Sequence, residues 1–115
     1  MKTMKKTREF RSVYAAGKSI VDSNLVLYRL ENASDDIRYG ISISKKVGGA
    51  VVRNRIRRQI KEILRLNRAA FRNGYDIIFV VRVRCKDSDY AAIRKSVYYL
   101  AKKSNLLSDS SVRFE

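Results

Sequence analysis

The sequence predicts an α+β domain in which helices pack on a single mixed sheet, and three observations carry that reading. Hydrophobic residues make up 45% of the 115 positions, enough for one modest core. Helical and strand-like spacings follow one another in the order helix, two or three strands, helix, strand, helix. The strand-like stretches around residues 41 and 79 flank a helical segment of about 20 residues, long enough to cross between parallel neighbours.

Residues 4–16 place Met4, Phe10, Val13 and Tyr14 on one side of a short amphipathic helix that Gly17 closes. Residues 19–31 are β-rich, Ile20-Val21 and then Leu25-Val26-Leu27-Tyr28. Asp22-Ser23-Asn24 between them divides two short strands or marks a bulge. After a polar turn from Asn32 to Asp36, Tyr39, Ile41 and Ile43 alternate with Gly40, Ser42 and Ser44, the period of a half-buried strand. Gly48-Gly49 breaks the chain before a basic helix from Val51 to Phe71, which Asn73-Gly74 ends. Ile77 to Val81 is apolar without alternation, as a central strand covered on both faces must be. Asp87 or Ser88 is expected to cap the last helix, where Tyr90, Ile93, Val97 and Leu100 recur at helical spacing. With no repeat and no linker, residues 1–115 read as one domain with a loose tail over about 106–115.

Composition narrows the chemistry. The chain carries +15 and no histidine, so the commonest neutral-pH general base is missing. Its clustered carboxylates, Asp35-Asp36 and Asp87 with Asp89, sit where turns and helix caps use them, and no Gly-rich phosphate loop is present. No catalytic residue and no metal ligand set is expected. The single cysteine, Cys85, fits a reducing cytoplasm, and no apolar run exceeds five residues, too short for a membrane span.

Between Ile37 and Tyr75 stand eleven Lys or Arg against one acid, Glu62. At about 100° per residue, Arg53, Asn54, Arg57, Arg58, Lys61, Arg65 and Arg68 fall within roughly 140° of one another, with Arg55 and Glu62 at the far rim. Val52, Ile56, Ile60 and Ile63 form the opposite, core-facing stripe. A solvated helix face would mix its signs. Here Arg53, Arg57, Lys61 and Arg65 repeat one sign at i,i+4, and each like pair costs a few tenths of a kcal/mol unless a polyanion sits against it. Arginine dominates, and its planar fork makes paired contacts with phosphate. Lys45 and Lys46 extend the patch around the helix start, whose free N–H groups also favour phosphate. Phe10, Tyr14 and Tyr28 have the spacing of core residues, yet beside a cationic face they would equally serve as stacking platforms for unpaired bases.

The run Gly40-Ile-Ser-Ile-Ser-Lys-Lys-Val-Gly-Gly-Ala-Val-Val-Arg-Asn-Arg-Ile-Arg-Arg resembles the signature of the bacterial ribonuclease P protein component. Ser44-Lys45-Lys46 stands at the right distance from the box Arg53-Asn54-Arg55 and the pair Arg57-Arg58, and the likeness extends over nearly the whole chain. It implies an α/β sandwich like the second domain of ribosomal protein S5, with a left-handed βαβ crossover. It implies a partner in a large catalytic RNA and a substrate in precursor tRNA, with Mg²⁺ bound mainly by the RNA and one protein copy per RNA. By matching position, Lys45, Lys46, Arg53, Asn54, Arg55, Arg57, Arg58 and Lys61, with Arg65 beyond them, would contact RNA. Phe10, Tyr14 and Tyr28 would line the cleft for the single-stranded 5′ leader. Tyr14 departs from a common phenylalanine, and Val83 stands where a proline is usual. A ribosomal or other structural RNA-binding protein is the rival reading, and an autonomous nuclease conflicts with the missing histidine and carboxylate cluster.

Overall fold

The computed structural model describes residues 1–109 and 111–115. Its elements run β1 (Lys2–Thr3), α1 (Thr7–Ala16), β2 (Lys18–Val21), β3 (Leu25–Glu31), β4 (Ile37–Ser42), α2 (Ala50–Leu66), β5 (Tyr75–Val81) and α3 (Tyr90–Lys103). The strands make one mixed sheet in the order β1-β4-β5-β3-β2. β3 is antiparallel to both β2 and β5, whereas β4 lies parallel to β5 with Ile41 opposite Phe79. The α2 segment is therefore the crossover between parallel neighbours that its length allows.

Alternation along the strands sorts the side chains onto two faces. Leu25, Leu27, Ile37, Tyr39, Ile77 and Phe79 enter the main core with Ile56, Ile60 and Ile63 of α2 and Ile93, Val97 and Leu100 of α3. On the other face Ile78 joins Met4 and Val13, with Phe10, Tyr28, Leu30 and Val80 half-buried around them. The absence of alternation in β5 follows: Ile77 and Phe79 are buried by α2 and α3, Ile78 by α1. The α+β architecture expected from the sequence is thus the one observed, with α1 on one side of the sheet and α2 and α3 on the other.

Several boundaries differ from expectation, each for a local reason. β1 is two residues long and pairs with Arg38 and Tyr39 through its backbone, leaving no side-chain pattern to read. Met4 lies outside α1, which starts at Thr7 because the Glu9 carboxylate accepts the Lys6 N–H at 3.0 Å and fills the place of a cap. α2 stops at Leu66 rather than Phe71: the Asn67 side-chain amide donates to the Ile63 carbonyl at 2.8 Å, and a 3₁₀ turn follows over Arg68–Ala70. Gly74, at φ +89°, then turns the chain into β5. The cap of α3 is Asp89, not Asp87 or Ser88; it accepts the Ala92 N–H at 2.9 Å. Ser88 is engaged elsewhere, donating to Asn24 Oδ1 at 2.7 Å, while Asn24 Nδ2 donates to Ser96 Oγ at 2.9 Å and ties the β2–β3 turn to α3.

Of the tail expected to be loose, residue 110 lies outside the described residues, and the segment on either side of it packs on the domain. Leu106 and Leu107 are buried, and the backbone bonds Arg72 N–H to Leu106 O and Ser108 N–H to Ala70 O, both 2.8 Å, fasten the segment to the chain that follows α2. Farther on, the Phe114 ring packs on Phe71 and Tyr98, at 5.7 and 5.1 Å between centroids. Two adjacent leucines and a distant phenylalanine give no periodicity in sequence, yet all three pack on the main core.

A polar anchor complements the apolar packing of α1. Arg38 of β4 donates to both oxygens of Asp76, Nε at 2.8 Å and Nη2 at 2.6 Å, and its Nη1 pairs with Glu9 of α1. Asn32 Nδ2 adds a third donor to Asp76 at 2.8 Å. Asp76 is 6% exposed; burial pushes its carboxyl up, but the Arg38 and Asn32 hydrogen bonds outweigh that and hold it below its ordinary value.

Candidate nucleic-acid interface

The apolar stripe of α2 turns Ile56, Ile60 and Ile63 inward, so the opposite side chains must face solvent. Asn54, Arg57, Arg58, Lys61, Glu62 and Arg65 line one shallow groove of about 290 Å³ along that side. Asn54 Oδ1 accepts from Arg57 Nη1 at 3.2 Å and steadies its fork. Glu62, placed by the helical wheel at the far rim, instead sits in the groove and pairs with Arg65, whose Nε reaches it at 3.2 Å. That hydrogen bond draws the Glu62 carboxyl below its ordinary value. Among the described residues Arg57, Arg58 and Lys61 meet no carboxylate. They are the cations left for an external anion.

At the start of α2, Gly49 occupies the cap position without a side-chain acceptor, so the first-turn N–H groups point outward unclaimed by one. Buried Val47 anchors the preceding turn, in which Lys45 and Lys46 are exposed. Arg53 bends back to donate from Nε to the Gly48 carbonyl at 3.1 Å, which keeps its charge at this end of the helix. Helix dipole, free N–H groups and three cations together give this end of α2 a positive potential of the kind that favours a phosphate.

Two basic residues leave the face assigned to them. Arg55 points toward α3, donating to the Lys86 and Ser88 carbonyls at 3.0 and 3.3 Å, so at least part of its role is to brace the segment before α3. Arg68 follows the end of α2 and is held by Asp36 Oδ1 at 3.1 Å and Asn73 Oδ1 at 2.7 Å.

The aromatic residues come together on the opposite sheet face. Tyr14 stands edge-on to Tyr28 at 5.0 Å, and Phe10 lies 6.3 Å from Tyr14. Tyr14 is 40% exposed, while Phe10 and Tyr28 are half-buried against Met4, Val13 and Ile78 beside Val80, so the cluster is part core and part open aromatic surface. Gly40 makes this possible: a Cβ there would come within 2.5 Å of the Phe10 ring. In the strand pattern Gly40 takes one of the non-apolar positions, which by itself does not reveal this contact. A glycine inside a strand is the signal of such a close approach.

Cys85 is buried, and burial pushes its thiol up to about 11, which makes it a poor nucleophile. Among the described residues no three His, Cys, Asp or Glu side chains converge.

A family model described as Ribonuclease P matches residues 1–105. The ribonuclease P protein component of Clostridioides difficile (strain 630) is 49% identical over 106 residues, covering 91% of this chain and 93% of that protein. That of Clostridium kluyveri is 48% identical over 105 residues, covering 90% and 94%. The Staphylococcus aureus RNase P protein superposes with a TM-score of 0.88 at 32% identity, over 94% of this chain and 99% of that one. The Thermotoga maritima RNase P protein gives 0.82 at 27% identity, over 90% and 97%.

Proposed function

The chain belongs to the bacterial ribonuclease P protein family, that of a tRNA-processing ribonucleoprotein, and on that premise we propose that it grips RNA at two places while the RNA performs the chemistry. The α2 groove, through Arg57, Arg58 and Lys61, and the helix start, through Lys45, Lys46 and Arg53, hold phosphates of the large catalytic RNA. The trough of Phe10, Tyr14 and Tyr28 holds the single-stranded 5′ leader of precursor tRNA. Magnesium is carried by the RNA, one protein copy serves each RNA, and the complex works in the cytoplasm. The observation that carries this reading is the row Arg57, Arg58 and Lys61 on α2, without carboxylate partners among the described residues, in a chain of this family. The comparisons do not favour the alternative of a ribosomal protein without a processing role.

The test is cleavage of a precursor tRNA by the catalytic RNA at low Mg²⁺, with and without the protein. Strong stimulation is expected; none would refute the proposal, and cleavage by the protein alone would restore the nuclease reading. Alanine at Tyr14, or at Phe10, should weaken binding of leader-bearing substrate by roughly 1–3 kcal/mol while mature tRNA binds as before. Tyr14→Phe keeps the ring and should retain most of that preference. Equal losses for both substrates, measured on folded variants, would return the rings to the core.

A further inference from the structure

α3 carries Arg94, Lys95, Lys102 and Lys103 and no acid between Tyr90 and Lys103. It borders a second groove, of about 350 Å³, lined by Ala91, Arg94, Lys95, Tyr98, Arg113 and Phe114. Its floor is aromatic and fixed in place: Tyr98 donates its hydroxyl to the Val112 carbonyl at 2.9 Å, and Phe114 meets it edge-on at 5.1 Å. Among the described residues Arg94, Lys95 and Arg113 have no carboxylate partner. Three unneutralised cations around a rigid apolar floor match a ligand that joins anionic groups to a flat ring, which is the repeating unit of a nucleic acid. The size is within the range that takes a small ligand or one unstacked nucleotide.

We propose that the α3 groove is a second docking site for the catalytic RNA, receiving one unpaired nucleotide with its flanking phosphates on Arg94, Lys95 and Arg113. The inference rests on the reading of the chain as a binder of that RNA. The source follows from topology. α3 packs beside α2 on one side of the sheet, whereas the trough of Phe10, Tyr14 and Tyr28 lies on the other. A strand held in that trough does not share a face with α3; an RNA held by α2 does.

The experiment measures binding of the catalytic RNA alone to the full chain carrying Arg94→Ala, Lys95→Ala and Arg113→Ala. Affinity should fall about tenfold or more, and the plot of log affinity against log salt should become shallower by about two to three units. The preference for precursor over mature tRNA should not change. The charge-preserving set Arg94→Lys, Lys95→Arg and Arg113→Lys should keep the wild-type slope, and thermal melts check that both sets fold. Ala91→Cys, labelled with a photoreactive group, should cross-link to the catalytic RNA and not to the leader; buried Cys85 stays unlabelled. A wild-type protein that leaves the catalytic RNA unbound overturns premise and inference together. Wild-type binding with an unchanged alanine variant, or cross-links to the leader alone, overturns the α3 site only.

Discussion

Arg57→Ala, Arg58→Ala and Lys61→Ala, combined, are expected to lower affinity for the catalytic RNA by roughly a hundredfold or more. Each charge-assisted contact is worth about 1.5 kcal/mol or more, close to a factor of ten. These three cations share one groove and meet no carboxylate among the described residues, so little within the chain compensates their loss. Salt dependence is the sharper readout: every phosphate contact removed should flatten the slope by about 0.9 if the contacted RNA is helical. A change of two to three units places all three at phosphates, and an unchanged slope removes the groove from the interface. Arg65→Ala should cost less, because Glu62 already occupies its guanidinium. All four side chains lie on the solvent side of α2, so stability should change little, which urea unfolding of the same variants checks.

The largest expected loss of stability from a polar substitution is at Asp76. Asp76→Asn removes the charge that faces two nitrogens of Arg38 at 2.8 and 2.6 Å, in a side chain 6% exposed. The cost should be about 2–3 kcal/mol, below that of a fully buried pair because Arg38 keeps Glu9 and some water. The same pair gives a pH dependence. The folded protein holds the Asp76 carboxyl below its ordinary value, so its contribution is complete above the unfolded carboxylate range. It is lost as pH falls through the lower, folded value. Glu9, drawn down by the Lys6 N–H ahead of Arg38, acts in the same direction. Wild-type stability should therefore decline from about pH 5 downward, and Asp76→Asn should flatten that decline as well as lower the plateau. Denaturant unfolding between pH 7 and 3 checks both. A parallel decline in the variant would show that other carboxylates carry the acid sensitivity.

Long, strongly patterned elements were legible in the sequence, and those settled by tertiary contact were not. The cationic groove on α2 could be read because a 3.6-residue period places Arg57, Arg58 and Lys61 whatever lies around them. That the strands near residues 41 and 79 could lie as parallel neighbours followed from one strand pattern, one apolar run and the length of the segment between. Arg55 and Arg68 could not be placed, since carbonyls at 86 and 88 and the acid at 36 claim them from distant parts of the chain. The packed tail was invisible for the same reason: Leu107 and Phe114 have meaning only once Phe71 and Tyr98 stand opposite. The cap of α3 was misplaced because three candidate residues precede Tyr90, and Asn24, 64 residues upstream of Ser88, decides which is free.

The pleat of the sheet has a mechanical consequence. Tyr28 and Leu27 are consecutive in β3 yet belong to opposite surfaces, so the aromatic trough and the basic helices are held apart by a rigid hydrogen-bonded plate. Slippage along that plate comes only in whole residues, and a single step would bury Tyr28 and expel Leu27. The spacing between the two grips cannot drift by small amounts. Under the proposed function, such a chain would act as a gauge block, setting how far a captured strand lies from the RNA proposed to cut it.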